Sequence, residues 1–117
     1  MISAENVKAD YARTLTERAT IRRYTGTGPI ATKPRHDVSV RCRVVGYEAE
    51  ELVGTIQQGD RKVIAYADDV TEAGMALPLT ANDKMIVRGK ELAIVQADHD
   101  TRKIGPTLIA IEIQVRG

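Results

Sequence analysis

Along most of this chain, polar and apolar residues alternate with a period of two, the spacing that sends successive side chains to opposite faces of a β-strand. In Arg18–Thr25, Ala19 and Ile21 alternate with Thr20, Arg22 and Tyr24. Asp37–Tyr47 is the cleanest stretch of the first half, with Val38, Val40, Cys42 and Val44 on one face and Ser39, Arg41 and Arg43 on the other. Thr107–Val115 puts Ile109, Ile111, Ile113 and Val115 on one side and mainly Leu108, Ala110, Glu112, Gln114 and Arg116 on the other, which predicts one long strand closing the sheet. Leu52–Gln57 and Arg61–Ala67 flank Gly59-Asp60, and Lys84–Arg88 and Glu91–Ala97 flank Gly89-Lys90. Both pairs predict two-residue antiparallel hairpins with Gly in the first turn position.

Three segments break the alternation. Residues 1–16 predict a helix, with Ser3 as N-cap, Glu5 in the first turn and Ile2 and Val7 at hydrophobic-staple spacing. Its single stripe of Ala4, Val7, Tyr11 and Leu15 implies docking on a sheet or a neighbouring subunit. Residues 26–36 (GTGPIATKPRH) hold two Gly and two Pro and end on Lys33, Arg35 and His36, the composition of a long loop between the first two strands. Farther on, Asp69 is expected to cap one helical turn through Glu72 that Gly74 ends, and Pro78 marks a connector before Asn82-Asp83. About six short strands with tight turns predict a mainly β fold, a small antiparallel barrel or sandwich formed by residues 1–117 as one domain.

Composition narrows this further. The chain has 117 residues, 43% of them hydrophobic, enough for one core, but no Phe and no Trp, so Val, Ile and Leu must fill the interior. The net charge of +1 lacks the basic excess of a free-standing nucleic-acid binder. The charge is uneven, however: residues 1–47 carry nine Lys/Arg against four Asp/Glu, and residues 48–117 eight against twelve. Unless folding mixes the halves, a basic side can face phosphate or a neighbour's acidic side. The one cysteine, Cys42, forms no internal disulfide and reads as a small core residue. No apolar run approaches the roughly 18 residues of a membrane span, and residues 1–10 lack the apolar core of a signal peptide, so synthesis in the cytosol is expected.

Candidate chemistry is sparse. The serines Ser3 and Ser39 read as a cap and a solvent-side strand residue, with no nucleophile elbow around either. Asp98-His99-Asp100 is the one cluster resembling a metal site, but adjacent residues of extended chain point in alternate directions, and a polar turn explains it. Asp68, Asp69 and Glu72 lack calcium-loop spacing, and Gly26-Thr27-Gly28-Pro29 lacks the third Gly and the Lys of a phosphate loop. A binding protein with no catalytic residues, no metal and no cofactor is therefore expected. Arg18 and Arg22 share one strand face and Arg41 and Arg43 another, which reads plainly as a solvated face and functionally as a surface toward DNA that does not read sequence.

Three segments carry a resemblance: Glu51–Ala67 (ELVGTIQQGDRKVIAYA), Asn82–Ile94 (NDKMIVRGKELAI) and Ile111–Gly117 (IEIQVRG). They resemble the small head-to-tail joining proteins of tailed bacteriophages and prophages over roughly residues 17–117. The resemblance implies a head-closure, or stopper, protein of the virion neck, made in the bacterial cytoplasm. Such a β-barrel forms a homo-oligomeric ring, hexamer or dodecamer, between portal or adaptor and tail, closes the DNA-filled head and docks the tail. It also implies that the loop at 26–36 projects into the channel, placing Lys33, Arg35 and His36 near double-stranded DNA, and that Val7 and Tyr11 contact a ring neighbour or the adaptor. The alternatives are a monomeric OB- or SH3-like nucleic-acid-binding barrel using the arginine rows, another small tail-completion protein, and an enzyme built on Asp98, His99 and Asp100.

Overall fold

The computed structural model describes residues 3–25, 35–52, 54, 56–80 and 82–117. In chain order it contains α1 (Ala4–Thr14), β1 (Glu17–Tyr24), β2 (Arg35–Gly46), a 3₁₀ turn at Ala49–Glu51, β3 (Arg61–Tyr66), α2 (Ala67–Glu72), β4 (Asp83–Val87), β5 (Lys90–Asp98), β6 (Lys103–Ile104), β7 (Thr107–Leu108) and β8 (Ala110–Arg116). Six strands close into an antiparallel barrel in the order β1-β2-β3-β8-β5-β4, and β6 and β7 make a separate two-stranded ribbon. The predicted small antiparallel barrel is what forms.

Alternation builds the barrel as expected. Val38, Val40 and Cys42 of β2 and Ile111, Ile113 and Val115 of β8 are buried, packed with Ala19 and Ile21 of β1, Val63 and Ala65 of β3, and Met85, Leu92 and Ile94. The aliphatic interior predicted by the lack of Phe and Trp is thus the core. Burial holds the Cys42 thiol's pKa up at about 11, so it stays protonated inside the barrel at neutral pH.

The two ends of the barrel differ. At one, α2 continues directly from β3 and stops in a Schellman motif: Gly74 (φ +84°) donates its N–H to the Thr71 carbonyl, and Met75 donates to Val70. The accompanying apolar contact joins Val70 and Met75, which with Leu79 close that end of the core. The other end opens on a cleft of about 260 Å³ with Val44, Val87, Leu92 and Val115 below and Arg61, Arg88 and Lys90 around it.

The helix at the N-terminus starts on Ser3, whose side chain accepts the Asn6 N–H; the staple residue Ile2 lies outside the described residues. None of α1's residues is fully buried.

Several expectations need correction. The segment read as strand Leu52–Gln57 forms no strand among its described residues, because both edges of β3 are already paired, one with β2 and one with β8. Gly59-Asp60 therefore is not a hairpin turn. In the β4–β5 hairpin the turn residues are Arg88 (φ +53°) and Gly89 (φ +82°), so Gly takes the second position of a type I′ turn and an arginine is forced into the first. The last strand is interrupted at Ile109, whose carbonyl accepts the Ala67 N–H while its own N–H donates to the Arg102 carbonyl. Asp69 is not an N-cap: α2 begins at Ala67 without a side-chain cap, and the Asp69 carboxylate reaches across to β2. Arg35 and His36, read as loop, open β2 opposite Tyr24 and Arg23.

Candidate functional site

The arginine rows were the sharpest site expectation, and the pairing of β1 with β2 brings them together. Arg18 stands opposite Arg41, and Arg22 opposite Asp37. Their charges are not equally available. Arg22 is held bidentately by Asp37 at 2.9 and 3.0 Å, which puts the Asp37 carboxyl below the ordinary carboxylate range. Arg41 is held likewise by Asp69 at 2.9 and 2.8 Å, lies over the Tyr66 ring at 4.7 Å, and donates its backbone N–H to the same carboxylate at 2.8 Å. That amide is the first of β2 beyond its pairing with β3, so Asp69 satisfies the donor that β3 leaves behind.

Arg18 and Arg43 are different. Both are exposed; Arg18 reaches only the Ser39 hydroxyl at 3.3 Å, and Arg43 has no hydrogen-bond or ion-pair partner among the described residues. The other barrel arginines with carboxylate partners are firmly engaged: Arg23 with the buried Asp83, Arg88 with Glu17, and Arg116 with the buried Asp60. Arg18 and Arg43 are thus exposed cations of the β1–β2 wall without a carboxylate in ion-pair contact among the described residues, although Arg18 is near enough to help lower the Asp69 pKa. Arg35 and His36 are exposed at the start of β2, with Arg35 3.8 Å from Asp37; Lys33 lies outside the described residues.

The expected contact residues of α1 turn toward their own chain. The Tyr11 hydroxyl accepts from Arg102 Nη1 at 2.9 Å, and Val7 and Tyr11 line a cleft of about 210 Å³ shared with Ile104 and Ile109. Lys8 pairs with Asp68 at 2.9 Å. Arg102 in turn donates to Glu112 at 3.1 Å.

Asp98, His99 and Asp100 do not converge. Asp98 caps its turn by accepting from the Asp100 and Thr101 amides and the Thr101 hydroxyl, which holds its carboxyl below the usual range. His99 faces elsewhere: its Nε2 accepts the Leu79 N–H at 3.0 Å, tying β5 to the connector before β4. No group of three or more metal-ligating side chains occurs among the described residues.

Another cleft among the described residues was not foreseen. It has a volume of about 390 Å³ and sits on the outer face of β3, β8 and β5, under the 3₁₀ turn. Its charged lining is Glu51, Lys62, Asp98 and Glu112, beside Tyr47. Lys62 pairs with Glu51 at 3.1 Å and lies 3.9 Å from Glu112, with its ammonium 5.2 Å from the Tyr47 ring centre. The Glu51 carboxyl is held below the ordinary range first by the Glu48 amide and then by Lys62. Nothing local signals this site, because its residues come from positions spread between 47 and 114 and meet only when β3, β8 and β5 pair.

Charge therefore segregates in three dimensions. In the closed order of strands, β1 lies three steps from β8 and β2 three from β5, so the exposed arginines and the β8 and β5 carboxylates are on different faces, with β3 adjoining both β2 and the cleft. Compared with known proteins, the chain matches no family model and no curated protein sequence.

Proposed function

We propose that this chain is a structural subunit of the neck of a tailed bacteriophage or prophage, of the head-closure type. In this reading it forms a ring between the portal or adaptor and the tail, closes the head around packaged DNA, and offers the surface on which the tail docks. The observation that carries the reading is the placement of charge on a closed barrel: exposed Arg18 and Arg43 on β1 and β2, and Asp98 and Glu112 in a cleft on β5 and β8, are two different and complementary surfaces of the kind that head-to-tail contacts around a ring join. The three segments resembling head-to-tail joining proteins support it independently. On the β1–β2 wall, Arg18, Arg35 and Arg43 are exposed cations available to DNA phosphates or to a neighbouring subunit, with His36 exposed beside Arg35.

The nucleic-acid-binding monomer has weaker support, since carboxylates within the chain already engage two of the four arginines on which it depends, Arg22 and Arg41. Purified protein mixed with the portal and adaptor encoded beside its gene should add an annular layer visible by negative-stain microscopy. Particles that never acquire this layer, together with salt-sensitive binding of isolated protein to oligonucleotides, would replace the neck reading with the monomeric one.

A further inference from the structure

The two walls can be matched residue to residue. On one, Arg18 and Arg43 are diagonal neighbours across the β1–β2 pair, exposed and without a carboxylate partner among the described residues. On the other, the cleft over β3, β8 and β5 is lined by three carboxylates, Glu51, Asp98 and Glu112, against two cations, Lys62 in the lining and Arg102 bound to Glu112. The low pKa values of Glu51 and Asp98 keep them charged throughout the physiological range. Exposed Glu50 and Asp100 extend the acidic surface on either side.

A guanidinium is planar, remains charged and presents its donors in a fork that matches paired carboxylate oxygens. A cleft of about 390 Å³ has ample room for one. Within one chain the β8 and β5 carboxylates lie across the barrel from the β1–β2 pair, and Arg43, although its strand adjoins β3, makes no ion pair with Glu51, Asp98 or Glu112.

We propose that the cleft over β3, β8 and β5 is the receptor for Arg18 and Arg43 of a second copy of this chain, making a head-to-tail contact. This rests on the ring reading above and specifies its subunit interface. Because the surfaces joined are different, the contact propagates from copy to copy instead of ending at a symmetric dimer. Desolvation of the arginines in the cleft, with Tyr47 beside them, makes the contact charge-dependent and weakened by salt.

The experiment uses two variants of the full chain: Arg18→Glu with Arg43→Glu, and Glu50→Lys with Asp100→Lys. The second pair leaves the internal bonds of Glu51, Asp98 and Glu112 intact. In sedimentation velocity at low salt, wild type should associate as its concentration rises, and each variant alone should remain monomeric. An equimolar mixture should form at least a one-to-one dimer, because the intact arginine wall of one variant meets the intact cleft of the other. This mixed dimer also establishes that both variants are folded; Arg18→Gln with Arg43→Gln replaces the first variant if circular dichroism shows that it is not. Self-association of either variant at the wild-type level, or a mixture that stays monomeric, would overturn the contact. A wild-type chain that stays monomeric up to about 1 mM would overturn it too, while the neck reading would stand or fall separately on the annular layer formed with portal and adaptor.

Discussion

Asp60 shows how much one side chain can organise. It is 3% exposed, yet it accepts from Arg116 Nε and Nη2 and from Gln114 Nε2, each at 2.8 Å, and from the Gln57 amide at 2.9 Å. Four donors on one carboxylate hold its pKa far below the ordinary aspartate value, chiefly through Arg116. Removing the acceptor strands these donors, so Asp60→Ala should lower stability by about 3 kcal/mol in urea unfolding. The sign of the pH effect follows from the same geometry. A carboxyl whose folded pKa lies below its unfolded value of about 3.9 stabilises fully above that value, and the benefit is lost as pH falls through the folded pKa. Asp37, Asp69 and Asp98 shift in the same direction. Stability should therefore hold from neutral pH to about pH 5 and then decline, and Asp60→Asn should flatten the most acidic part of that decline. Sequence reading missed Asp60 because Gly-Asp between two alternating runs has the local form of a turn. Its decisive partner, Arg116, lies 56 residues away.

At the scale of elements, the hairpin joining β4 to β5 is the clearest case of backbone demand. Both turn residues have positive φ, and a Cβ built on Gly89 would meet no atom within 4 Å. Gly89→Ala should nevertheless cost about 1 kcal/mol, measured as a shift in the urea midpoint, with the penalty arising from backbone conformation alone. Elements marked by local pattern were legible: Ser3 beginning α1, the β2 alternation, the hairpin at Gly89 and the inward isoleucines of β8. Elements decided by remote pairing were not. Nothing in Leu52–Gln57 reveals that β2 and β8 occupy both edges of β3. Nor does an arginine row reveal that Asp69, 28 residues from Arg41, will neutralise part of it. The acidic cleft was invisible for the same reason, since three separate strands create it.

For the whole molecule, the barrel carries the core and α1 is an attachment. The helix has no fully buried residue, and it is tethered through Lys8 to Asp68 and Tyr11 to Arg102. A chain lacking residues 1–14 should keep the strand signature in circular dichroism, with its melting temperature lowered by about 5 °C. Loss of the barrel on truncation would show instead that α1 is integral to the core.

The closed sheet also decides what crowding of many copies can do. Strand edges are where β proteins join by exchanging main-chain hydrogen bonds, the route to fibres and to swapped strands. Here the barrel uses those groups within the chain, and where β2 runs past β3, α2 packs beside it and Asp69 takes the Arg41 amide. A neighbour is left mainly with side chains to grip. Contacts of that kind can be strengthened, weakened or redirected one residue at a time while the scaffold stays the same.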